Sequence, residues 1–397
     1  MNHSPEKPSS TKQGLSKSQI AAMSVTSGIC VATIYYNQPL LHDIAQTFKV
    51  DDNAAGTIAV LAQAGYGLGL FFITPLGDKM DRKKLILIQQ ALLVIALLGM
   101  SFAPSILWAV ICSLVIGFTA IAAQVILPLA ASLSPKDKKG NTVGVIFTGI
   151  LIGILAARVL SGYIADWFGW EMVYVVAAVS VMITFSISWF ALPSTPPEFD
   201  GSYKDLIGSV LKQIKRFGLL RNTATLGGLA FGVFCSFWAT LTFHLSGDPF
   251  HYSTDTIGLF GALAIGGALL APVVGKMADK GKPQKAQLLA LIILTASVLL
   301  MLIWPTDLWA ILATVFFLDV GVQSIQVTNV ALIYTLDASA HSRINTVYMT
   351  GYFIGGALGS FVGIHCWDLW GWTGVVYQLL VWCALAFIVL GYKMLKK

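Results

Sequence analysis

Long apolar runs separated by short polar breaks dominate the chain. They fall near residues 20–41, 55–76, 85–103, 107–132, 142–165, 172–192, 223–246, 256–275, 287–304, 308–336, 344–366 and 372–392. A bilayer's hydrocarbon core takes about 20 residues of helix to cross, so the pattern predicts an all-α polytopic membrane protein of twelve transmembrane helices. The one long connection, 193–222, starts Pro- and acid-rich. It continues with Leu206, Ile207, Val210, Leu211 and Ile214 at helical spacing opposite Lys212, Lys215 and Arg216. That spacing predicts an amphipathic helix lying on the inner leaflet, with a partner-binding helix as the alternative. The chain then divides into a six-helix bundle with a short tail (1–192), a linker (193–222) and a second six-helix bundle (223–397).

Composition agrees with this pattern. Of 397 residues, 56% are hydrophobic and 11% charged, and the mean hydropathy is +0.76, which leaves little chain for a soluble domain. The net charge of +6 needs no nucleic acid to explain it, because the basic residues sit between the spans. With a cytoplasmic N-terminus, 23 of the 25 Lys and Arg residues fall on the inner side; Lys49 lies outside and Arg158 within a span. Acidic residues divide nine and nine, with Asp319 embedded, as expected when orientation follows Lys and Arg alone. Both termini are therefore expected in the cytoplasm, and the polar stretch to Ser18 reads as a tail before an uncleaved first helix. Trp108, Trp167, Trp170, Trp304, Trp309, Trp367, Trp370 and Trp372 mark the opposite boundary as an aromatic belt. Cys30, Cys112, Cys235, Cys366 and Cys383 show no ligand spacing and read as small core residues. No P-loop, H-E-x-x-H or elbow serine occurs, so no ATP drive, metal or cofactor is expected.

The chain repeats itself. The break after span 2, Gly77-Asp78-Lys79-Met80-Asp81-Arg82, matches the break after span 8, Gly275-Lys276-Met277-Ala278-Asp279-Lys280, 198 residues on. Span 5 holds Thr148-Gly149-x-x-x-Gly153 and ends at Gly169-Trp170. Span 11 holds Thr350-Gly351-x-x-x-Gly355 and ends at Gly371-Trp372, 202 residues on. Duplicated bundles of this kind place a transporter's site at the midplane between them. Six plus six spans, a cytoplasmic middle loop and G-x-x-x-D-R/K after spans 2 and 8 resemble the major facilitator superfamily across the whole chain. Tyr35-Tyr36-Asn37-Gln38-Pro39-Leu40-Leu41, Ala157-Arg158-Val159-Leu160-Ser161-Gly162 and Arg343-Ile344-Asn345-Thr346 are similar to a bacterial branch described as sugar or drug efflux permeases. The resemblance implies two pseudo-symmetric six-helix bundles in a bacterial inner membrane. The chain departs from the pattern at Lys84, where a glycine is usual, and at Ser113, where a span 4 arginine is usual. It departs again at Ala157-Arg158, in the region where antiporters carry Gly-Pro.

Three groups of residues carry the chemistry. By the resemblance, Asp81 meets the start of span 11 near Ser342 and Arg343, and Asp279 meets the start of span 5 near Asn141. This is a latch of Gly77, Asp81, Arg82, Gly275, Asp279 and Arg343 that closes the cytoplasmic side; solvated turn residues are the alternative. Arg158 lies 16 residues into span 5, roughly 24 Å from its inner start. An arginine there costs about 2.5–3.5 kcal/mol, so it either binds an anionic group, pairs with an acid, or snorkels to the outer interface. Asp319, the only carboxylate within a span, is the candidate proton carrier, with a fixed ion pair as the alternative. Tyr36, Asn37, Gln38, Gln63, Gln124, Gln323 and Gln326, with Trp238 as an apolar wall, are candidate substrate contacts, and Tyr66 and Asn329 lie at similar depths. Amides in hydrocarbon otherwise act as glue between helices. The reading is a monomeric secondary transporter that alternates access and exports a small organic molecule in exchange for protons. Proton-coupled uptake of an anion held by Arg158 is the rival. A membrane sensor or enzyme would need segments this chain lacks.

Overall fold

The computed structural model describes residues 14–135, 138–197, 199–263, 283–337 and 340–395, and the side chains among these up to Tyr392. The helices are α1 (Lys17–Ala32), α2 (Leu41–Phe48), α3 (Asp52–Phe72), α4 (Leu76–Lys79), α5 (Arg82–Ser101), α6 (Ile106–Thr119), α7 (Ala122–Leu133), α8 (Lys139–Phe168) and α9 (Trp170–Ala191). They continue with α10 (Tyr203–Arg216), α11 (Gly218–Ser246), α12 (254–263), α13 (Pro283–Ile303), α14 (Leu308–Ile333) and α15 (His341–Leu395). Polar residues at the span borders start several of them. The Asp51 carboxylate accepts from the Ala54 amide at 2.7 Å and the Asp307 carboxylate from the Ala310 amide at 2.8 Å, satisfying N–H groups the helix leaves open. Among the described residues, nine stretches are long and apolar enough to cross a membrane. Ile95, Phe190, Ile183, Leu160 and Ile388 expose more than half their surface, a belt suited only to lipid.

One of the nine stretches holds two crossings. At Gly371 in α15, φ is 60°, a left-handed conformation that favours glycine, and beyond it Gly374 packs on the carbonyl of Cys366, so the chain doubles back. Gly169, with φ of 87°, joins α8 to α9 in the corresponding way. The close crossings repeat too. Gly153 of α8 lies on the backbone of Gly28 in α1, and Gly355 of α15 lies on that of Gly228 in α11, with no room for a Cβ in either pair.

Three expectations need correction. Span 1 is not one helix: α1 stops at Ala32, residues 33–37 form turns, and a 3₁₀ turn, Gln38–Leu40, follows. Pro39 supplies no amide and disfavours helix in the residue before it, so the helix unwinds here. The amphipathic helix α10 does not turn its whole apolar stripe to a leaflet. Leu206 and Val210 are fully buried against the protein, and α10 packs on α11 and α15. In the aromatic belt, Trp170 and Trp372 turn inward and are buried. His244 stacks on Trp372 with ring centroids 4.2 Å apart, giving that indole a core role.

Candidate functional site

Arg158 is 1% exposed and points into the protein, which excludes snorkelling. Its Nε donates to Gln38 Oε1 at 2.6 Å, and the unwinding before Pro39 is what brings that amide in. The guanidinium carbon lies 4.1 Å from the centroid of the Trp238 ring and 5.4 Å from those of Tyr35 and Phe234. Cation–π contacts out of water contribute about 2 kcal/mol. The aliphatic stem packs on Gly261 of α12, where a Cβ would sit 2.7 Å from that of Arg158. Nη2 has no hydrogen-bond partner among the described residues.

Asp319 is 2% exposed, and its Oδ2 also has no partner among the described residues. Arg158 lies ten residues before Phe168 and Asp319 eleven after Leu308, at the tryptophan-rich ends of their helices. At 1.5 Å per residue both sit about 15–17 Å deep, near half the thickness of a hydrocarbon core. Each is within electrostatic reach of the other and of Tyr35, yet no ion pair joins them among the described residues. One group comes from the first half of the chain and the other from the second.

The uncharged candidates separate into lining and glue. Gln124 donates to the Tyr66 hydroxyl at 3.3 Å, and the Tyr352 hydroxyl to Gln326 Oε1 at 3.3 Å. Tyr66 meets Phe353 at 4.3 Å and Phe231 stacks on Tyr352 at 4.0 Å, so an aromatic band joins α3, α11 and α15 between the two amides. Gln63 and Asn37 are buried, each with an unpartnered oxygen, while Tyr36 and Gln323 are half-buried. Tyr36 is not in the arginine's cage; its neighbour Tyr35 takes that place, because one turn of chain turns only one of two adjacent residues inward. Asn329 is glue: it accepts from Gln287 and donates to the Thr223 carbonyl, tying α13, α14 and α11. Phe231, Phe234, Tyr352 and Phe353 escaped the sequence reading, since apolar residues on an all-apolar helix carry no periodic marker.

The two halves meet at the tryptophan-rich end. There the Trp367 indole donates to Asp52 at 3.0 Å, Asn53 to Asp368 at 3.4 Å, Thr242 to the Gln38 carbonyl at 2.6 Å and Thr254 to Asp43 at 2.7 Å. Gly162 of α8 abuts the backbone of Thr254 and Gly258. Asp43 is held above the ordinary carboxylate range by burial in this seam; Thr254 and His42 pull it back and Asp166 adds to the rise.

At the lysine-rich end the Asp81 half of the latch is not made among the described residues. The Asp81 carboxylate caps α5 by accepting from the Lys83 amide at 2.9 Å and also accepts from the Thr195 amide at 3.3 Å. No ion pair joins it to Arg343 among the described residues. Arg82 donates to the Gly77 carbonyl at 3.0 Å, to Ser132 at 3.3 Å and to Asp78 at 3.2 Å, bracing the turn within its own half. Gly275 and Asp279 lie outside the described residues. Here α10 bridges the halves instead. The Tyr203 hydroxyl donates to the Phe72 carbonyl at 2.6 Å, Lys79 to the Gly201 carbonyl at 2.9 Å, and Arg216 pairs with Asp337 at 2.6 Å.

The family model described as Major Facilitator Superfamily matches residues 23–343 and 247–396. The Escherichia coli O157:H7 protein called "Uncharacterized transporter YgaY" is 38% identical over 93% of this chain and 95% of its own length. A "Probable sugar efflux transporter" of Helicobacter pylori is 24% identical over 96% of this chain and 99% of its own. Among solved structures, the peptide transporter POT in complex with alafosfalin aligns with a TM-score of 0.73 at 12% identity, over 94% of this chain and 93% of that one. A bacterial homologue of the lysosomal transporter Spinster, inward-facing and unoccupied, aligns with a TM-score of 0.72 over 98% of this chain and 97% of that one.

Proposed function

The chain belongs to the Major Facilitator Superfamily, and from that premise we propose that it exports a small organic molecule from a bacterial cytoplasm in exchange for protons. Two six-helix bundles, 1–192 and 223–397, rock about the linker. The lysine-rich end faces the cytoplasm, following the placement of 23 of the 25 basic residues. The observation that carries the reading is the pair of buried charged groups, Arg158 with Nη2 and Asp319 with Oδ2 unpartnered among the described residues, at one depth and on opposite bundles. Neither is retained in hydrocarbon at that cost without a ligand to meet. Asp319 carries the proton, and Arg158, Gln38 and Trp238 take the substrate, with Gln124 and Gln326 at the aromatic band. With the tryptophan-rich seam made, this is the state closed on the outer side. The Asp81–Arg343 latch then forms in the opposite state, when the seam parts. The sugar efflux relative supports the outward direction.

One proton crossing 100 mV releases about 2.3 kcal/mol, roughly a fiftyfold gradient. The test is flux in proteoliposomes of known orientation, using labelled candidates and an imposed pH gradient. Export coupled to protons predicts that substrate and protons move in opposite directions and that Asp319→Asn abolishes the pH-driven component. Unchanged coupling in that variant, or parallel movement, overturns the assignment. Parallel movement is the outcome of the second reading, uptake of an organic anion, which the free Nη2 of Arg158 favours.

A further inference from the structure

The site has two charged ends and an aromatic wall, and this limits what fits it. Arg158 already spends Nε on Gln38 and one face of its guanidinium on Trp238, so what remains for a ligand is the Nη2 edge, a donor that suits a carboxylate. Asp319 offers Oδ2, an acceptor that suits an ammonium or another N–H donor. The two groups share Tyr35 as a neighbour but stand too far apart to pair. A ligand carrying only an anion would leave the carboxylate buried without a partner, and a ligand carrying only a cation would leave the guanidinium edge so. Either costs more than filling both. Around the guanidinium lie Trp238, whose indole Nε1 is itself buried and unpartnered among the described residues, with Phe234 and Tyr35.

We propose that the substrate is a zwitterion with a flat apolar body. Its carboxylate bonds to Nη2 of Arg158, its ammonium to Oδ2 of Asp319, and its body rests on the rings of Trp238 and Phe234. This rests on the transporter reading above and names the class of molecule that reading carries. It also explains the exchange: proton and ammonium compete for one carboxylate, so release of the substrate leaves Asp319 free to take the returning proton.

The test is ligand-induced thermal stabilisation of the purified, full-length protein in detergent at pH 7. The probes are L-phenylalanine and 4-(aminomethyl)benzoate as short and long zwitterions, 3-phenylpropionate and phenethylamine as single-charge analogues, and methyl glucoside as an uncharged one. The expected result is that at least one zwitterion raises Tm at a tenfold or more lower concentration than either single-charge analogue. In Asp319→Asn the anion should gain on the zwitterion, and in Arg158→Gln the cation should. The comparison among ligands on the unaltered protein stands even where a variant fails to fold. Stabilisation by methyl glucoside with none by either zwitterion overturns the inference, as does equal potency of zwitterion and single-charge analogue. The flux assay separates the two proposals. Zwitterion binding without pH-driven flux sinks proton-coupled export and leaves the site intact. Coupled flux of a sugar without zwitterion binding does the reverse.

Discussion

The α1–α8 and α11–α15 crossings are two copies of one design that have kept their skeleton and lost their chemical likeness. Gly153 lies on Gly28 as Gly355 lies on Gly228, and a left-handed glycine, Gly169 or Gly371, follows each long helix before a buried tryptophan. Yet the residue five positions beyond each crossing glycine is Arg158 in the first copy and Ser360 in the second, and both are 1% exposed. The acid goes the other way: Asp319 sits in α14, where the matching Leu-Trp-Ala register of α6 (Leu107–Ala109 against Leu308–Ala310) puts Phe118. A symmetric frame lets two bundles rock; an asymmetric pair of charges gives the space between them a polarity, positive on one bundle and negative on the other.

The comparison breaks most completely at the shared part. Gly153→Leu and Gly355→Leu each force a side chain into backbone that has nowhere to move, an overpacking cost of about 3 kcal/mol or more. Both should fail to give monodisperse protein on size-exclusion chromatography, to the same degree. If one copy tolerated the change and the other did not, the crossings would not be equivalent. The unshared part should respond unequally. Arg158→Ala should cut transport at least a hundredfold, about 2.7 kcal/mol, with Arg158→Lys also impaired because an ammonium does not reproduce the planar edge. Ser360→Ala should stay within about fivefold of the unaltered protein, since a lone hydroxyl contributes about 1 kcal/mol. Initial rates in proteoliposomes decide between these outcomes.

A smaller effect is expected at the lysine-rich end, where α10 ties the bundles. Arg216 is half exposed, so its 2.6 Å pair with Asp337 is screened, and Arg216→Ala should change stability by no more than about 1 kcal/mol. A sharper drop in transport than in Tm would mark α10 as a strap that limits rocking.

What could be read without coordinates follows the same division. Spans and repeat were legible because lipid requires unbroken apolar runs, and the paired glycines stand at fixed offsets within them. Arg158 and Asp319 were legible as the only charges inside spans, and Trp238 and Gln38 followed as plausible company. The unwinding of span 1 had a signal in Pro39, but an apolar run through Ile34 and Leu41 masked it. The choice of Tyr35 over Tyr36, and of Asn329 as glue, depends on which way single side chains turn in an all-apolar helix, where no polar face gives the phase. The burial of α10 was hidden for a related reason: the same amphipathic stripe serves a membrane surface and a protein surface equally well.

The finest test falls on the seam where the copies meet as unlike partners, Asp43 of the first half and Thr254 of the second. Burial holds the Asp43 carboxyl above its ordinary range, so the closed seam favours the protonated acid more than an open, solvated one does. A group raised in this way contributes to closure below its ordinary value, and the contribution is lost as pH rises through the raised one. Closure should therefore weaken slightly as pH climbs across that window. Asp43→Asn, which keeps an acceptor for Thr254 and cannot ionise, should flatten the dependence. Labelling of a cysteine placed at Thr254 would distort the contact, so the readout is better set beside it, at Ser253→Cys, or one turn on, at Gly258→Cys, with membrane-impermeant maleimide followed against pH. Gly258 abuts Arg158's backbone, which leaves Ser253, exposed at the rim, as the site to use. Because the thiolate and not the thiol reacts, rates are taken relative to a fully exposed reference cysteine at each pH; a ratio that rises with pH in the parent and stays flat with Asp43→Asn is the expected pair of results. A profile unchanged by Asp43→Asn would show that the pH sensitivity of the seam does not lie in this carboxylate.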